Sequence, residues 1–133
     1  MKLLIDTNIF LEVVLAQSKA TGAQELLSKT EEHEFFISDY SLHSIALLFF
    51  RRKQHDVFRQ FLTDMISIAG IKMIALLPRD MEGVINTAQK FSLDFDDAYQ
   101  YVAAEQYELT IVSFDSDFDR TEKGRKTPDH IES

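Results

Sequence analysis

Short apolar runs alternate along the chain with longer segments in which apolar residues recur at three- and four-residue spacing. The short runs predict buried strands over 2–5, 34–37, 71–75 and 109–113. The longer segments predict helices, because that spacing places apolar side chains on one helical face. The first helix begins after the capping residues 6–8, and the second covers 20–31. Four further helices run from Ser38 to Arg52, from His55 to Ala69, from Pro78 to about Phe91, and from Asp94 to Tyr107.

Strands separated by helices favour parallel pairing, since a parallel connection needs a long crossover. The pattern therefore predicts an α/β fold, a three-layer α/β/α sandwich with a short, mainly parallel sheet. A length of 133 residues fits one ordinary domain, which we expect to cover 1–133. Ligands of such sheets bind outside the carboxyl ends of the strands, so polar residues at those ends are the first candidates for chemistry.

The composition indicates a globular protein without disulfides or a membrane span. Hydrophobic residues make up 45% and charged residues 27% of the chain, which is typical of a globular protein. The absence of cysteine excludes disulfides and thiolate-held metals, and it suits a reducing cytoplasm. The first apolar run stops at Asp6, too early for a signal peptide, and the longest, 45–50, falls far short of the roughly 20 residues that span a bilayer. We therefore expect a cytoplasmic protein.

The net charge of −8 argues against a protein that holds nucleic acid on a broad basic surface. A nuclease that depends on a metal is a partial exception, because clustered carboxylates become favourable when a cation lies among them.

Three aspartates, distant in sequence, are predicted to converge. Asp6 directly follows the first strand and Asp115 follows the last, so both lie at the carboxyl edge of a parallel sheet. Asp97 lies in the first turn of the helix that begins at Asp94 and can face the same edge. Carboxylates brought together without a cation repel one another, whereas an all-oxygen cluster suits Mg²⁺ or Mn²⁺.

Each of these acids also has a purely structural interpretation. Asp6 is at a position where aspartate caps helices, and Asp97 can stabilise the start of its helix through the dipole. Asp96 competes with Asp97 for the site. Asp115 and Asp117 flank a serine in a pattern common in turns, and Asp117 is either a further ligand or a brace for the loop.

Three segments carry a resemblance to a known family. Residues 3–8 (Leu-Leu-Ile-Asp-Thr-Asn), 96–98 (Asp-Asp-Ala) and 111–118 (Ile-Val-Ser-Phe-Asp-Ser-Asp-Phe) resemble, in order, acidic motifs of PIN domains, the fold of VapC-type ribonuclease toxins. The resemblance implies a PIN-like fold, an endoribonuclease that depends on Mg²⁺ or Mn²⁺ and hydrolyses RNA, and the toxin half of a bacterial toxin–antitoxin pair. A small antitoxin protein would then be a partner.

The resemblance also implies roles for particular residues. Asp6, Asp97 and Asp115 would be catalytic and would hold the metal, with Asp117 as a further metal ligand. Asn8 and Ser113 would orient carboxylates or waters in supporting roles.

The chain departs from the family at one position. PIN domains usually carry a glutamate about six residues after the serine that ends the second strand. Counting from Ser38, that position is Ser44, with His43 beside it. Ser44 would still hold a metal-bound water as a supporting residue, but we expect weaker metal affinity.

Several features bear on partners. Phe49, Phe50, Phe58 and Phe61 exceed what one helix pair normally hides, which predicts a homodimer face or an antitoxin groove. The basic runs 51–53 and 123–126 are either solvated or form a phosphate-contacting patch.

The missing glutamate and the negative charge leave a second hypothesis open, a degenerate PIN-like module that binds RNA or a protein without cleavage. A phosphotransfer receiver would need a mid-chain acceptor aspartate and a following lysine, an arrangement that we do not find in the sequence.

Overall fold

The computed structural model describes residues 1–131, in which four parallel strands form one sheet. The strands are β1 (Lys2–Ile5), β2 (Glu34–Ser38), β3 (Lys72–Ile74) and β4 (Thr110–Val112). Their order across the sheet is β3-β2-β1-β4, and each neighbouring pair is parallel. All four predicted strands are confirmed, and no end differs from its predicted position by more than one residue.

Helices connect the strands as the periodicity predicted. They are α1 (Thr7–Val14), α2 (Ala20–Leu27), α3 (Asp39–Arg51), α4 (His55–Phe61), α5 (Met81–Phe91) and α6 (Phe95–Tyr107). Short 3₁₀ turns cover Pro78–Asp80, Ser116–Arg120 and Pro128–His130. Ser38 caps α3 as expected, since its hydroxyl oxygen accepts a hydrogen bond from the backbone N–H of Ser41 at 3.1 Å.

Two helices differ from their predicted form. The helix expected over 20–31 ends at Leu27, where the Ser28 hydroxyl donates to the Glu25 carbonyl at 2.7 Å and the sequence turns polar. A serine that bonds its own helix backbone in this way favours a helix end over a helix interior. The helix expected from His55 to Ala69 is α-helical only to Phe61 and continues as a π-helix over Leu62–Ile68, for which the sequence pattern gives no signal.

The sheet is packed on both faces, which confirms the three-layer prediction. Side chains alternate along β1, so that Leu3 and Ile5 join the core on one face while Leu4 joins the core on the other. The first core packs against α1 to α4, and the second packs against α5 and α6. Among the described residues, no helix is long and apolar enough to cross a membrane.

The register of β1 against β4 sets the position of the functional side chains. Ile5 pairs with Val112, and the backbone N–H of Asp6 donates to the Val112 carbonyl at 3.0 Å. Because the two strands run parallel and end together, Asp6 and Ser113 emerge side by side at the carboxyl edge of the sheet.

Candidate functional site

A small acidic pocket of about 170 Å³ opens at this edge of the sheet. It is lined by all three aspartates that the sequence predicted to converge, Asp6, Asp97 and Asp115. The other residues that line it are Thr7, Asn8, Leu11, Tyr40, Ser44 and Asp96. Strand ends supply Asp6 and Asp115, and the first turn of α6 supplies Asp97. The topology thus brings together acids that are far apart in the chain.

Asp97, Asp115 and Asp117 have carboxylate oxygens that lie within 4.8 Å of one another. Asp97 is buried, and the other two side chains are half-buried. A cluster of this kind offers only oxygen ligands, which hard cations such as Mg²⁺ and Mn²⁺ prefer. Asp6, predicted to hold the metal together with Asp97 and Asp115, borders the same pocket but lies outside this group of three, in which Asp117, predicted as a further ligand, takes part.

Hydrogen bonds already surround the carboxylate of Asp6. Oδ1 accepts from the backbone N–H of Thr7 and from Nε2 of Gln100, both at 2.9 Å. Oδ2 accepts from the Ser113 hydroxyl at 2.7 Å and, more distantly, from Nδ2 of Asn8 at 3.5 Å. Asp6 therefore does cap α1, as the structural interpretation of this residue held, and it is also the centre of a buried polar network.

Gln100 is a part of this network that the sequence interpretation missed. It lies on α6 and is 1% exposed, and its Nε2 also donates to the Ser41 hydroxyl oxygen at 2.8 Å. Its Oε1 is one of two buried side-chain polar atoms without a hydrogen-bond partner among the described residues. The available signal was its spacing, because a residue three positions after Asp97 lies on the same face of the helix.

Ser113 and Asn8 fix the loop that carries Asp115. The Ser113 oxygen accepts from Nδ2 of Asn8 at 3.1 Å and from the backbone N–H of Asp115 at 2.9 Å. Oδ1 of Asn8 accepts from the backbone N–H of Phe114 at 3.1 Å, and Oδ1 of Asp115 accepts from that of Asp117 at 2.8 Å. Asp115 thus also forms the turn that was its structural interpretation, and one of its oxygens remains beside Asp97.

The electrostatics of the pocket are those of crowded carboxylates. Burial raises the pKa of Asp97 to about 8, and the negative charges of Asp96, Asp115 and Asp6 and a hydrogen bond with Asp115 act in the same direction. Burial also raises the pKa of Asp6, although the hydrogen bonds from Gln100, Ser113 and Thr7 oppose the shift. A cation among these groups would relieve both effects.

The two acids next to Asp97 are placed differently from it. Asp94 occupies the N-cap position of α6, but its side chain makes no capping hydrogen bond. Asp96 is exposed, and its Oδ1 accepts from the backbone N–H of Asp97 at 2.9 Å. The group of three carboxylates contains Asp97 and not Asp96.

Ser44 lines the acidic pocket, at the place where the resemblance puts a glutamate. Its neighbour His43 is exposed and lines a separate apolar depression with Ala46, Leu47 and Phe50. A role for His43 beside the aspartates is therefore not supported by its position.

The phenylalanines divide between core and surface. Phe49 and Phe61 are buried, Phe58 is half-buried, and Phe50 is 55% exposed. Phe50 and the equally exposed Leu47 form the apolar patch of α3.

The basic runs also differ from each other. Residues 51–53 are exposed. In the second run, Arg125 is mostly covered: its Nη1 donates to the Ser113 carbonyl at 3.1 Å, and its Nε and Nη2 each donate to Asp119 at 3.2 Å. Arg125 therefore holds the site loop in place, and it is not a free phosphate contact.

Comparison with known proteins places this geometry in context. Residues 3–124 match the family described as PIN domain. No curated protein matches the sequence significantly.

Among solved structures, the fold is similar to that of a toxin–antitoxin complex from Klebsiella pneumoniae, with a TM-score of 0.72 at 20% identity, covering 95% of this chain and 97% of that one. It is similar to VapC20 of Mycobacterium tuberculosis, a toxin that cleaves the sarcin–ricin loop, with a TM-score of 0.72 at 16% identity and coverage of 88% and 92%. FitAcB from Neisseria gonorrhoeae gives a TM-score of 0.72 at 17% identity and coverage of 97% and 99%. At these identities the likeness shows the fold.

Proposed function

Because the chain belongs to the PIN domain family, we propose that it is a divalent-metal-dependent ribonuclease and the toxin component of a bacterial toxin–antitoxin pair. The observation that carries the proposal is the group formed by Asp97, Asp115 and Asp117 next to the buried Asp6. The reaction is hydrolysis: the oxygen of a water bonds to phosphorus, one phosphorus–oxygen ester bond breaks, and the leaving oxygen takes a proton.

The residues present fit Mg²⁺ or Mn²⁺. Asp97, Asp115 and Asp117 would hold the ion, because their carboxylate oxygens lie within 4.8 Å of one another. Burial and the nearby negative charges disfavour the ionised form of Asp97, which a cation would stabilise. A bound divalent cation supplies Lewis-acid chemistry, which neutralises charge on a phosphate and lowers the pKa of a water.

The chain's own residues prepare the site for this chemistry. Asp6 contributes a buried carboxyl group to the pocket wall, and its donors Thr7, Gln100 and Ser113 keep that group in one orientation. Asn8 and Ser113 fix the backbone that presents Asp115. We assign catalytic roles to Asp6, Asp97 and Asp115, and supporting roles to Asn8, Ser113 and Ser44.

The apolar patch of α3 supports the proposed protein partners. Leu47 and Phe50 are more than half exposed beside Ala46 and His43, in a depression of about 370 Å³. Large apolar side chains grouped on a surface mark sites of protein contact. A similar fold occurs in the toxin–antitoxin complex from Klebsiella pneumoniae, so we propose a small antitoxin as partner and a homodimer as the assembly.

A second candidate is a PIN-like module that binds RNA or a protein without cutting. Ser44 favours it, because a serine replaces a carboxylate at a position that borders the pocket, and the net charge of −8 weakens electrostatic attraction to RNA. The retained aspartates oppose it.

Incubation of total cellular RNA with the purified protein tests the proposal, in Mn²⁺, in Mn²⁺ with EDTA, and with Asp97→Asn in place of the native chain. We expect discrete fragments that require both the metal and Asp97, while Asp96→Asn, the exposed neighbour, retains cleavage. RNA that stays intact under all conditions, while Mn²⁺ still binds, would favour the non-cutting module.

A further inference from the structure

A second cleft lies on the other side of the loop that carries Asp115. It encloses about 420 Å³ between the start of α2 and the 3₁₀ turn Pro128–His130. Its walls include Lys19, Gly22, Phe114 and His130, and none of its lining residues borders the acidic pocket. The cleft is therefore a separate feature that the site described above does not use.

The cleft combines an accessible aromatic face with a cation. Nζ of Lys19 lies 4.8 Å from the centroid of the Phe114 ring, over its face. Phe114 is half-buried against the core, and its outer face is covered by the exposed side chain of Lys19, which an entering base would displace. Proteins that hold single-stranded nucleic acid use this pair of features, stacking bases on aromatic rings and attracting phosphates with nearby cations.

The chain connects this cleft directly to the candidate metal site. Phe114 immediately precedes Asp115, and one residue of extended chain spans only about 3.5 Å. The backbone N–H of Phe114 donates to Oδ1 of Asn8, a residue of the acidic pocket. The aromatic wall of one cleft and the carboxylate wall of the other are thus held by the same short segment.

Gly22 lies on the open α2 side of the cleft. It lines the cleft, and a Cβ built on it would meet no atom within 4 Å, so the space beyond it is empty of protein. Asp129, also in the lining, has its Oδ1 occupied by the Thr127 hydroxyl at 2.6 Å.

We propose that this cleft binds one base of single-stranded RNA, stacked on Phe114, with Lys19 against a backbone phosphate next to the scissile bond. The assignment rests on the proposed function, because RNA is the substrate that the adjoining acidic pocket would cut. It adds a subsite that orients the strand, and it explains how a chain of net charge −8 gains affinity for RNA without a broad basic surface.

The test measures binding separately from cleavage. A short, fluorescently labelled single-stranded RNA is titrated with the Asp97→Asn protein, which does not cut, and anisotropy gives the affinity. Phe114→Leu should weaken binding roughly tenfold, the contribution of one stacked base. Gly22→Leu should weaken binding similarly by filling the cleft, whereas Gly22→Ala should not. Lys19→Ala should lower the slope of log affinity against log salt by about one.

The same titrations are repeated with an RNA that carries a single abasic nucleotide. Because the stacked base is then missing, Phe114→Leu should no longer weaken RNA binding. Gly22 lies on an exposed helix surface, so its substitutions keep the experiment decisive if Phe114→Leu fails to fold. Unchanged affinity in Gly22→Leu, or no RNA binding by any variant, would overturn the proposal.

Cleavage assays of the same substitutions, made in the protein with its native Asp97, separate the proposed base cleft from the proposed nuclease activity. Metal-dependent cleavage with an unchanged KM in Gly22→Leu would contradict the proposal that the cleft binds a base and would support the proposal that the protein is a nuclease. RNA binding that depends on Gly22 and Phe114, in a protein that cuts no RNA, would support the base-binding cleft and contradict the nuclease activity.

Discussion

Gln100 donates its side-chain amide to Oδ1 of Asp6 at 2.9 Å, although 94 residues separate them in sequence. The same nitrogen donates to the Ser41 hydroxyl oxygen at 2.8 Å, so one amide joins the N-terminal strand, α3 and α6 behind the acidic pocket. A buried carboxylate with donors on both oxygens has a fixed position and a fixed charge distribution. The precision of the site therefore depends on groups that do not line its surface.

The first prediction concerns this contact. Gln100→Leu keeps a buried side chain of similar size but removes the donor to Asp6, and the unpartnered Oε1 is lost with it. We expect cleavage and Mn²⁺ affinity to fall about tenfold, as on removal of groups that orient metal ligands, with little change in melting temperature. Gln106→Leu, an exposed position on the same helix, is the control. Equal activity in both variants would show that Asp6 needs no such support.

A second prediction follows from the pKa of Asp97. Its value of about 8 in the folded protein exceeds the ordinary 3.8, so the metal-free folded state binds a proton more tightly than the unfolded chain does. Asp97 therefore costs stability progressively as the pH rises from about 4 to 8.

In EDTA at pH 8, the free energy of unfolding of Asp97→Asn should exceed that of the native chain by at least about 1 kcal/mol, so the variant should melt at a higher temperature. The difference should vanish toward pH 4. Thermal unfolding followed by circular dichroism measures this. Asp94→Asn, at an exposed position whose side chain makes no capping hydrogen bond, should show a much smaller difference. A melting temperature for Asp97→Asn that is lower at pH 8 would contradict the electrostatic account.

The third prediction concerns metal binding and pH. A proton on Asp97 must leave before the carboxylate can hold a cation, so Mn²⁺ affinity should rise with pH below about 8, by up to about tenfold per pH unit. Calorimetric titrations in buffers of different ionisation enthalpy would detect the released proton. Affinity that is flat between pH 6 and 8 would mean that Asp97 is already ionised in the metal-free protein.

The fourth prediction uses the position of Ser44. Because Ser44 borders the acidic pocket, Ser44→Glu should add a fourth oxygen ligand and tighten Mn²⁺ binding about tenfold. His43→Glu adds the same charge one residue away, on the apolar depression, and should have little effect. Equal gains in the two variants would indicate a general effect of charge and no direct ligation.

The fifth prediction separates the structural arginine from its exposed neighbours. Arg125→Ala removes the bonds to Asp119 and to the Ser113 carbonyl, and should lower the free energy of unfolding by about 1–3 kcal/mol. Lys123→Ala, with an exposed side chain in the same basic run, should change it by less than about 0.5 kcal/mol. Urea unfolding of both variants measures these changes. Similar losses of unfolding free energy in the two variants would argue against a role of Arg125 in holding the site loop.

The sequence by itself determined the layered architecture and the edge of the sheet at which the acids meet. Both follow from local rules, since short apolar runs between amphipathic segments form parallel strands, and parallel strands end at one edge. Asp6 and Asp115 could be placed for that reason, and Asp97 from its position in the first turn of a helix.

Only the tertiary structure decided the contacts across that edge. Spacing places Gln100 on the same helix face as Asp97, and the resemblance implies Asp117 as a further ligand. Neither indicates that Gln100 meets Asp6, that the oxygens of Asp6 face other donors, or that Phe114 forms a cleft with Lys19. These relationships depend on how far each helix is rotated and where each loop returns. Such quantities are fixed by packing between elements distant in the chain, so neither periodicity nor spacing can specify them.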